Sequence, residues 1–152
     1  VVTAWRIVKQ RHAATAFDGE GARRAGGRWT SIGRRAVCTS GTIALATLEM
    51  LAHLGSDAPL PAYRLFAVQI PEQLIHRLNP ADLPCHWMEY PAPPELLALG
   101  DAWLDSGIFP VLAVPSAVVG AELNYVLNPL HRDFPLITIG PELPSRVDSR
   151  LL

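Results

Sequence analysis

Residues Ala36 to Leu54 read A-V-C-T-S-G-T-I-A-L-A-T-L-E-M-L-A-H-L, and this stretch decides the fold class. Ala36 to Thr39 is a short strand candidate. Ser40 is placed to cap a helix running from about Thr42 to Leu54 and ending at Gly55, since a short hydroxyl side chain satisfies free backbone N–H groups at a helix start and glycine tolerates the left-handed turn after its end. The helix is apolar nearly all round, which predicts burial on most faces. Glu49 is its only carboxylate. A lone carboxylate in such surroundings needs a partner or a shifted ionisation. Two readings stand side by side: a pair with His53 one turn later or with an arginine, and a carboxylate placed beside a cleft.

Strands outnumber helices on either side of this stretch. Val2 to Val8 and Tyr63 to Ile70 read as strands, the second stopped by Pro71. Phe109 to Val114 and Leu136 to Ile139 are further candidates. Pro94 to Leu104 reads as a helix, with proline in its first turn and Gly107 after its end. His12 to Thr30 contains four glycines, alternating charge and no period, and reads as loop with at most a short helix. The strict strand–helix alternation of a doubly wound fold is missing. The expectation is therefore α+β, with a mixed or antiparallel sheet and flanking helices.

The chain of 152 residues fits one domain, 1–152, and is long enough to build a core without disulfides or metal. All 14 prolines lie between Pro59 and Pro144, but no linker divides the chain. Two cysteines, Cys38 and Cys85, make no disulfide scaffold, and no apolar run reaches the roughly 20 residues of a membrane span. With no basic-then-apolar order at the start, a cytoplasmic location is expected. A net charge of −1 argues against bulk binding to nucleic acid or to an anionic membrane. Eight of the 13 basic residues nevertheless fall between Arg6 and Arg35, where Asp18 and Glu20 are the only acids. Twelve of the 13 are arginines, whose planar fork suits phosphate and carboxylate. The plainer account of this run is a solvated basic face.

Two other segments can carry chemistry. Gly26-Gly27-Arg28-Trp29 combines glycines that let backbone approach a ligand, an arginine that can hold phosphate bidentately, and a flat apolar ring. The plainer reading of these residues is a turn followed by a half-buried Trp at a strand start. Pro115-Ser116-Ala117 follows a strand candidate, and its serine can hydrogen-bond into a cleft or simply sit in a turn. It lacks the G-x-S-x-G setting of a hydrolase nucleophile. Gly19-Glu20-Gly21 opens like a dinucleotide fingerprint, but the sixth position is Arg24 and no strand–helix–strand unit surrounds it. The five histidines and two cysteines show no zinc-ligand spacing.

Taken in order, these pieces resemble the RES domain, the toxin half of bacterial RES–Xre toxin–antitoxin pairs. The likeness begins at Trp5-Arg6-Ile7, passes through Gly21-Ala22 and the Gly26-Gly27-Arg28-Trp29 block, and continues from Ala36-Val37-Cys38-Thr39-Ser40 into the helix ending at Glu49. It resumes at Val114-Pro115-Ser116 and closes with Glu122, Asn124, Asn128-Pro129 and Asp133-Phe134. One departure is Cys38, where the family usually carries tyrosine.

The resemblance implies an ADP-ribosyltransferase-like fold, NAD⁺ as substrate, no metal, and an Xre-like antitoxin partner forming a hetero-oligomer, with DNA binding left to that partner. It implies cleavage of the nicotinamide–ribose bond with water or phosphate as acceptor, or transfer of ADP-ribose to a protein target. A catalytically inactive binding module is the reading from another class. The implied catalytic residues are Glu49, Arg28 and Ser116. Those implied to hold NAD⁺ are Arg6, Arg28, Trp29 and Ser116. Glu49 would stabilise positive charge at the ribose, Arg28 with Arg6 would grip the pyrophosphate, Ser116 would hydrogen-bond the nicotinamide riboside, and Trp29 would wall the pocket. Asn124 and Asn128 are expected to order the loop behind it.

Overall fold

The computed structural model describes residues 1–54 and 62–151. Eight strands among them form one sheet: β1 (Val2–Lys9), β2 (Val37–Ser40), β3 (Tyr63–Ile70), β4 (Ile75–Arg77), β5 (Val111–Pro115), β6 (Leu123–Leu127), β7 (Thr138–Ile139) and β8 (Leu143–Ser145). Their order is β4-β5-β6-β2-β1-β3-β7, with β8 also on β3. Only the β4–β5 pair is parallel, so the sheet is mixed and mainly antiparallel, and the α+β expectation holds. No helix among the described residues is long and apolar enough to cross a membrane.

β5 shows why a continuous apolar run can be a strand. Val111 and Ala113 join one buried cluster, with Val37, Ile70 and Leu127. Leu112 and Val114 join another, with Trp29, Leu96 and Trp103. Successive side chains point to opposite faces, and here both faces are covered. Helix α3 (Pro94–Ser106) covers the second face, with Pro94 in its first turn and Gly107 closing it at φ 61°. The β6 strand escapes a period-2 reading for the same reason, since Tyr125 and Val126 are both buried on different faces.

Several expectations need correction. The cap of α2 (Ile43–Ala52) is Thr42, not Ser40: the Thr42 hydroxyl accepts the Leu45 N–H at 3.0 Å, while Ser40 is still paired in β2. The helix ends three residues before Gly55, which lies outside the described residues. Nor is α2 buried on most faces. Leu45 and Ala46 are buried, whereas Ile43 and Leu48 are exposed, because α2 lies against β1 and β2 with its outer side uncovered. The strand expected over Leu136 to Ile139 is reduced to Thr138–Ile139, since Phe134–Leu136 forms a 3-10 turn with Pro135 inside it. The glycine-rich first third does contain a short helix, α1 (Glu20–Ala25).

Candidate active site

The chain reaches Glu49 by a short route. β2 ends at Ser40, Gly41 donates its N–H to the Leu123 carbonyl at 3.0 Å, and the Thr42 cap starts α2 at once. Glu49 then falls on the second turn, above the end of the sheet where β2, β6 and β5 run side by side. There Ser40 pairs with Asn124, and Asn124 pairs with Val114, two residues before Ser116.

The side chains at this level form one network. The Ser116 hydroxyl donates to Glu49 Oε1 at 2.7 Å. Asn124 Nδ2 donates to the same oxygen at 2.7 Å. Ser40 Oγ donates to Asn124 Oδ1 at 2.8 Å. Ser40, Asn124 and Ser116 are all buried, and Glu49 is half-buried. Glu49 Oε2 takes no hydrogen bond from the described residues, so one carboxylate oxygen is fixed and the other is free to meet a ligand. His53 is not the partner of this carboxylate: its Nδ1 meets the Glu49 backbone oxygen at 2.7 Å.

The Arg28 guanidinium lies near enough to Glu49 to feel its charge. Nη1 donates to the Trp87 carbonyl at 2.9 Å and Nη2 to the Glu89 carbonyl at 3.0 Å, which straps residues 87–89 to the guanidinium. Burial lowers the Arg28 pKa, and the nearby Glu49 carboxylate and Tyr90 phenol act against that fall. The carboxylate and the guanidinium thus face one site. Met88 of the strap lies by the turn after Ser116, since a Cβ on Gly120 would come within 3.2 Å of its Cε. Strap and turn are thereby neighbours.

The floor is Cys38. Its side chain is exposed, yet desolvation by surrounding protein raises the thiol pKa to about 11, with Glu49 adding to the rise and Arg6 opposing it. A separate groove of about 480 Å³, lined by Ile108, Leu130, His131 and Arg132 among others, lies at the far end of β5 and β6 and contains no carboxylate.

Three of the expected roles change. Ser116 is 0% exposed, donates its only hydroxyl proton to Glu49, and accepts the N–H groups of Val118 and Val119, each at 3.0 Å. It positions the carboxylate and cannot hydrogen-bond a riboside from there. Trp29 does not wall the opening: it is 6% exposed, in the core with Leu96 and Trp103. Arg6 spends Nε on the Ala16 carbonyl at 2.6 Å and Nη1 on the Cys38 carbonyl at 2.8 Å, tying the segment after β1 to β2. Burial lowers its pKa as well, with Cys38 and Asp18 opposing. Elsewhere in the basic third, Arg23, Arg24 and Arg35 all pair with Glu20, which accounts for much of that charge run as a surface ion network.

Asn124 is the residue whose role the sequence hid. It holds Glu49 directly, whereas Asn128 orders its own loop by accepting the Leu130 N–H at 3.1 Å. Its position opposite Ser40 in an unrecognised strand was the missing signal.

Fold and site together define a single-domain α+β protein whose mixed sheet carries a hydroxyl- and amide-held carboxylate with a strapped arginine nearby. A profile of the RES domain matches residues 3–148. The chain belongs to the RES domain family. It is 38% identical over 130 residues to "Toxin Res" of Yersinia enterocolitica, covering 86% of each chain. It is 37% identical over 150 residues to "Toxin Res" of Photorhabdus laumondii, covering 97% of this chain and 96% of that one. Identity is 35% over 135 residues to "Prs ADP-ribosylating toxin" of a Sphingobium strain, covering 85% and 83%. A chain in the crystal structure of the M. tuberculosis MbcT-MbcA toxin-antitoxin complex shares the fold, with TM-score 0.72 and 17% identity, over 95% of this chain and 84% of that one.

Proposed function

We propose that this protein is the toxin of a toxin–antitoxin pair and that it breaks the nicotinamide–ribose bond of NAD⁺. The observation that carries the reading is Glu49: one oxygen is held by Ser116 and Asn124, the other is free, and the Arg28 guanidinium is near enough to feel its charge. The bond breaks with the electron pair leaving on a neutral nicotinamide, while positive charge develops on the ribose as in glycoside hydrolysis. Such a reaction needs a fixed negative charge near the sugar and a cation for the pyrophosphate, and it needs no strong general acid. Glu49 Oε2 is placed for the ribose. Arg28 has N–H groups beyond the two given to Trp87 and Glu89, and these suit a phosphate oxygen. Arg6 adds positive potential at the floor rather than a direct grip.

The acceptor divides two forms of this reading. Water or phosphate gives net loss of NAD⁺. A protein side chain gives ADP-ribosylation, which the name of the Sphingobium relative favours. Nicotinamide release, measured with and without phosphate, tests the cleavage itself. NAD⁺ labelled in its adenylate distinguishes the acceptors, since label on a protein band marks transfer. Glu49→Gln is expected to reduce release by about 10²–10³-fold, on the scale of removing one electrostatic stabiliser of a transition state. Release at the wild-type rate would remove Glu49 from the mechanism, whereas no release by the wild-type protein would leave the inactive binding module as the better account.

An antitoxin partner fits the surface around the cleft. Leu48 beside Glu49, Val118 in the turn after Ser116, and Met88 and Tyr90 on the strap are all exposed, and Tyr90 is 89% exposed. Apolar residues gathered on one opening suit a partner protein. Co-expression with the product of the adjacent gene is expected to yield a complex with suppressed nicotinamide release.

A further inference from the structure

We propose that Ser40 is a positioning residue which, through the Asn124 side chain, holds Glu49 in its working orientation. The inference rests on the reading above that Glu49 is the working carboxylate. It concerns a residue that touches no ligand.

The hydrogen bonds give the chain a direction. Glu49 Oε1 takes the hydroxyl proton of Ser116 and an N–H of Asn124. An ionised carboxylate only accepts, so the Asn124 amide must turn its Nδ2 toward Glu49 and its Oδ1 away. That Oδ1 is then a buried acceptor, and the Ser40 hydroxyl fills it at 2.8 Å. Ser40 itself is 3% exposed and leaves water no place in this role. Aligned donors polarise one another, so the amide N–H facing Glu49 is a better donor for having its oxygen engaged. Without the Ser40 hydroxyl, the amide keeps a costly unpaired oxygen and is drawn to rotate toward other donors. Rotation would bring oxygen against oxygen at Glu49 and push the carboxylate away from Ser116.

Chain connectivity makes this economical. Ser40 and Asn124 are a direct cross-strand pair of β2 and β6, so the sheet fixes their separation. Glu49 reaches the pair because α2 begins only two residues after β2 ends. The charged group near Glu49 is Arg28 from the glycine-rich segment, and the titratable group near it is the neutral Cys38 thiol from β2.

The test has one readout that needs no substrate. In ¹⁵N-labelled full-length protein, the Asn124 side-chain amide protons are expected to be protected from solvent exchange. Ser40→Ala is expected to lower that protection by about tenfold, the scale of one lost hydrogen bond, and Ser40→Thr to restore it. In parallel, Ser40→Ala is expected to lower kcat for nicotinamide release by about tenfold with KM changed less than about twofold, and Ser40→Thr to recover kcat. Should Ser40→Ala fold poorly, Ser40→Cys keeps the volume with a weaker donor and is expected to give partial loss of both. Unchanged Asn124 protection in Ser40→Ala or Ser40→Cys overturns the relay. Changed protection with unaltered kcat overturns its positioning role. A wild-type protein that shows the amide pattern but releases no nicotinamide refutes the proposed reaction and leaves the relay standing.

Discussion

Ser116 and Glu49 are joined by a hydrogen bond of 2.7 Å in which the serine is the donor. Because the same hydroxyl accepts two backbone N–H groups of the following turn, Ser116 links the carboxylate to the chain geometry after β5. Its proton is committed and its lone pairs are filled, so it is unsuited to nucleophilic attack. Ser116→Ala is expected to lower stability by about 1–3 kcal/mol, through the unpaired N–H groups of Val118 and Val119. It should also lower kcat more than it raises KM, because the carboxylate loses one of its two anchors. Denaturant titration and steady-state nicotinamide release check the two effects separately. Loss of activity as complete as in Glu49→Gln would point to a direct chemical role.

Gly100 in α3 decides how Arg28 is delivered. A Cβ at this position would lie 1.6 Å from the Trp29 carbonyl oxygen, so helix and glycine-rich segment touch backbone to backbone. Ser31 adds a bond from its N–H to Asp101 Oδ1 at 3.0 Å, fixing the segment to the next residue of the same helix. Gly100→Ala gains about 1 kcal/mol of helix propensity but must push the two backbones apart. The expected net loss is about 3 kcal/mol or more, as for severe overpacking of a core. Thermal unfolding measures it, and a variant as stable as the wild type would mean that the contact relaxes freely.

How much of this was legible beforehand varies from residue to residue. Glu49 stood out because it was the only charge on an apolar helix, and Arg28 because it followed twin glycines. Period-2 and period-3.6 patterns read one neighbourhood at a time, so they marked β1, β3 and α3 well. Asn124 could not be read in this way. Its meaning comes from three partners, Ser40, Glu49 and the β5 strand, that are far away along the chain. Trp29 was misjudged for a related reason: whether a ring faces solvent or core depends on α3, some seventy residues later. The burial expected for α2 failed because an apolar sequence records the capacity to be covered, and among the described residues nothing covers Ile43 and Leu48 fully.

Glu20 supplies a pH dependence separate from the site. Hydrogen bonds from Arg23, followed by those from Arg24 and the charges of Arg23 and Arg35, lower its pKa from 4.5 to about 2. A depressed carboxylate stabilises the fold fully above the unfolded value and loses that contribution as pH falls through the folded one. Stability should therefore decline between about pH 4.5 and pH 2. Glu20→Gln should flatten that part of the profile and lower stability at pH 7. Thermal unfolding at a series of pH values checks it, and equal slopes in both proteins would exclude the ion network as the cause.

Cys38 is expected to resist alkylation despite its exposure. The reactive form of cysteine is the thiolate, and desolvation raises this thiol to about 11. Iodoacetamide modification of Cys38 should be slow at pH 8 and accelerate steeply as pH approaches 11. Mass spectrometry of quenched time points resolves Cys38 from Cys85. Rapid labelling at pH 8 would mean that the floor of the cleft is wetter than its surroundings imply.

If Arg28 holds a phosphate as proposed, it couples that grip to the strap, and this gives a prediction that charge alone would not. Its two bonds to the Trp87 and Glu89 carbonyls use the planar fork of the guanidinium. Lysine carries the same charge but has a single donor centre, so it cannot hold both carbonyls and a phosphate in fixed geometry. Arg28→Ala is expected to raise KM for NAD⁺ by about 10–100-fold, the scale of one charge-assisted contact of about 1.5–3 kcal/mol. Arg28→Lys should recover only part of that loss. Both variants should make residues 87–89 more open to limited proteolysis, because the strap loses its anchor. If Arg28→Lys binds NAD⁺ like the wild type while its strap is cleaved readily, the arginine serves the strap alone and the phosphate contact belongs to another residue.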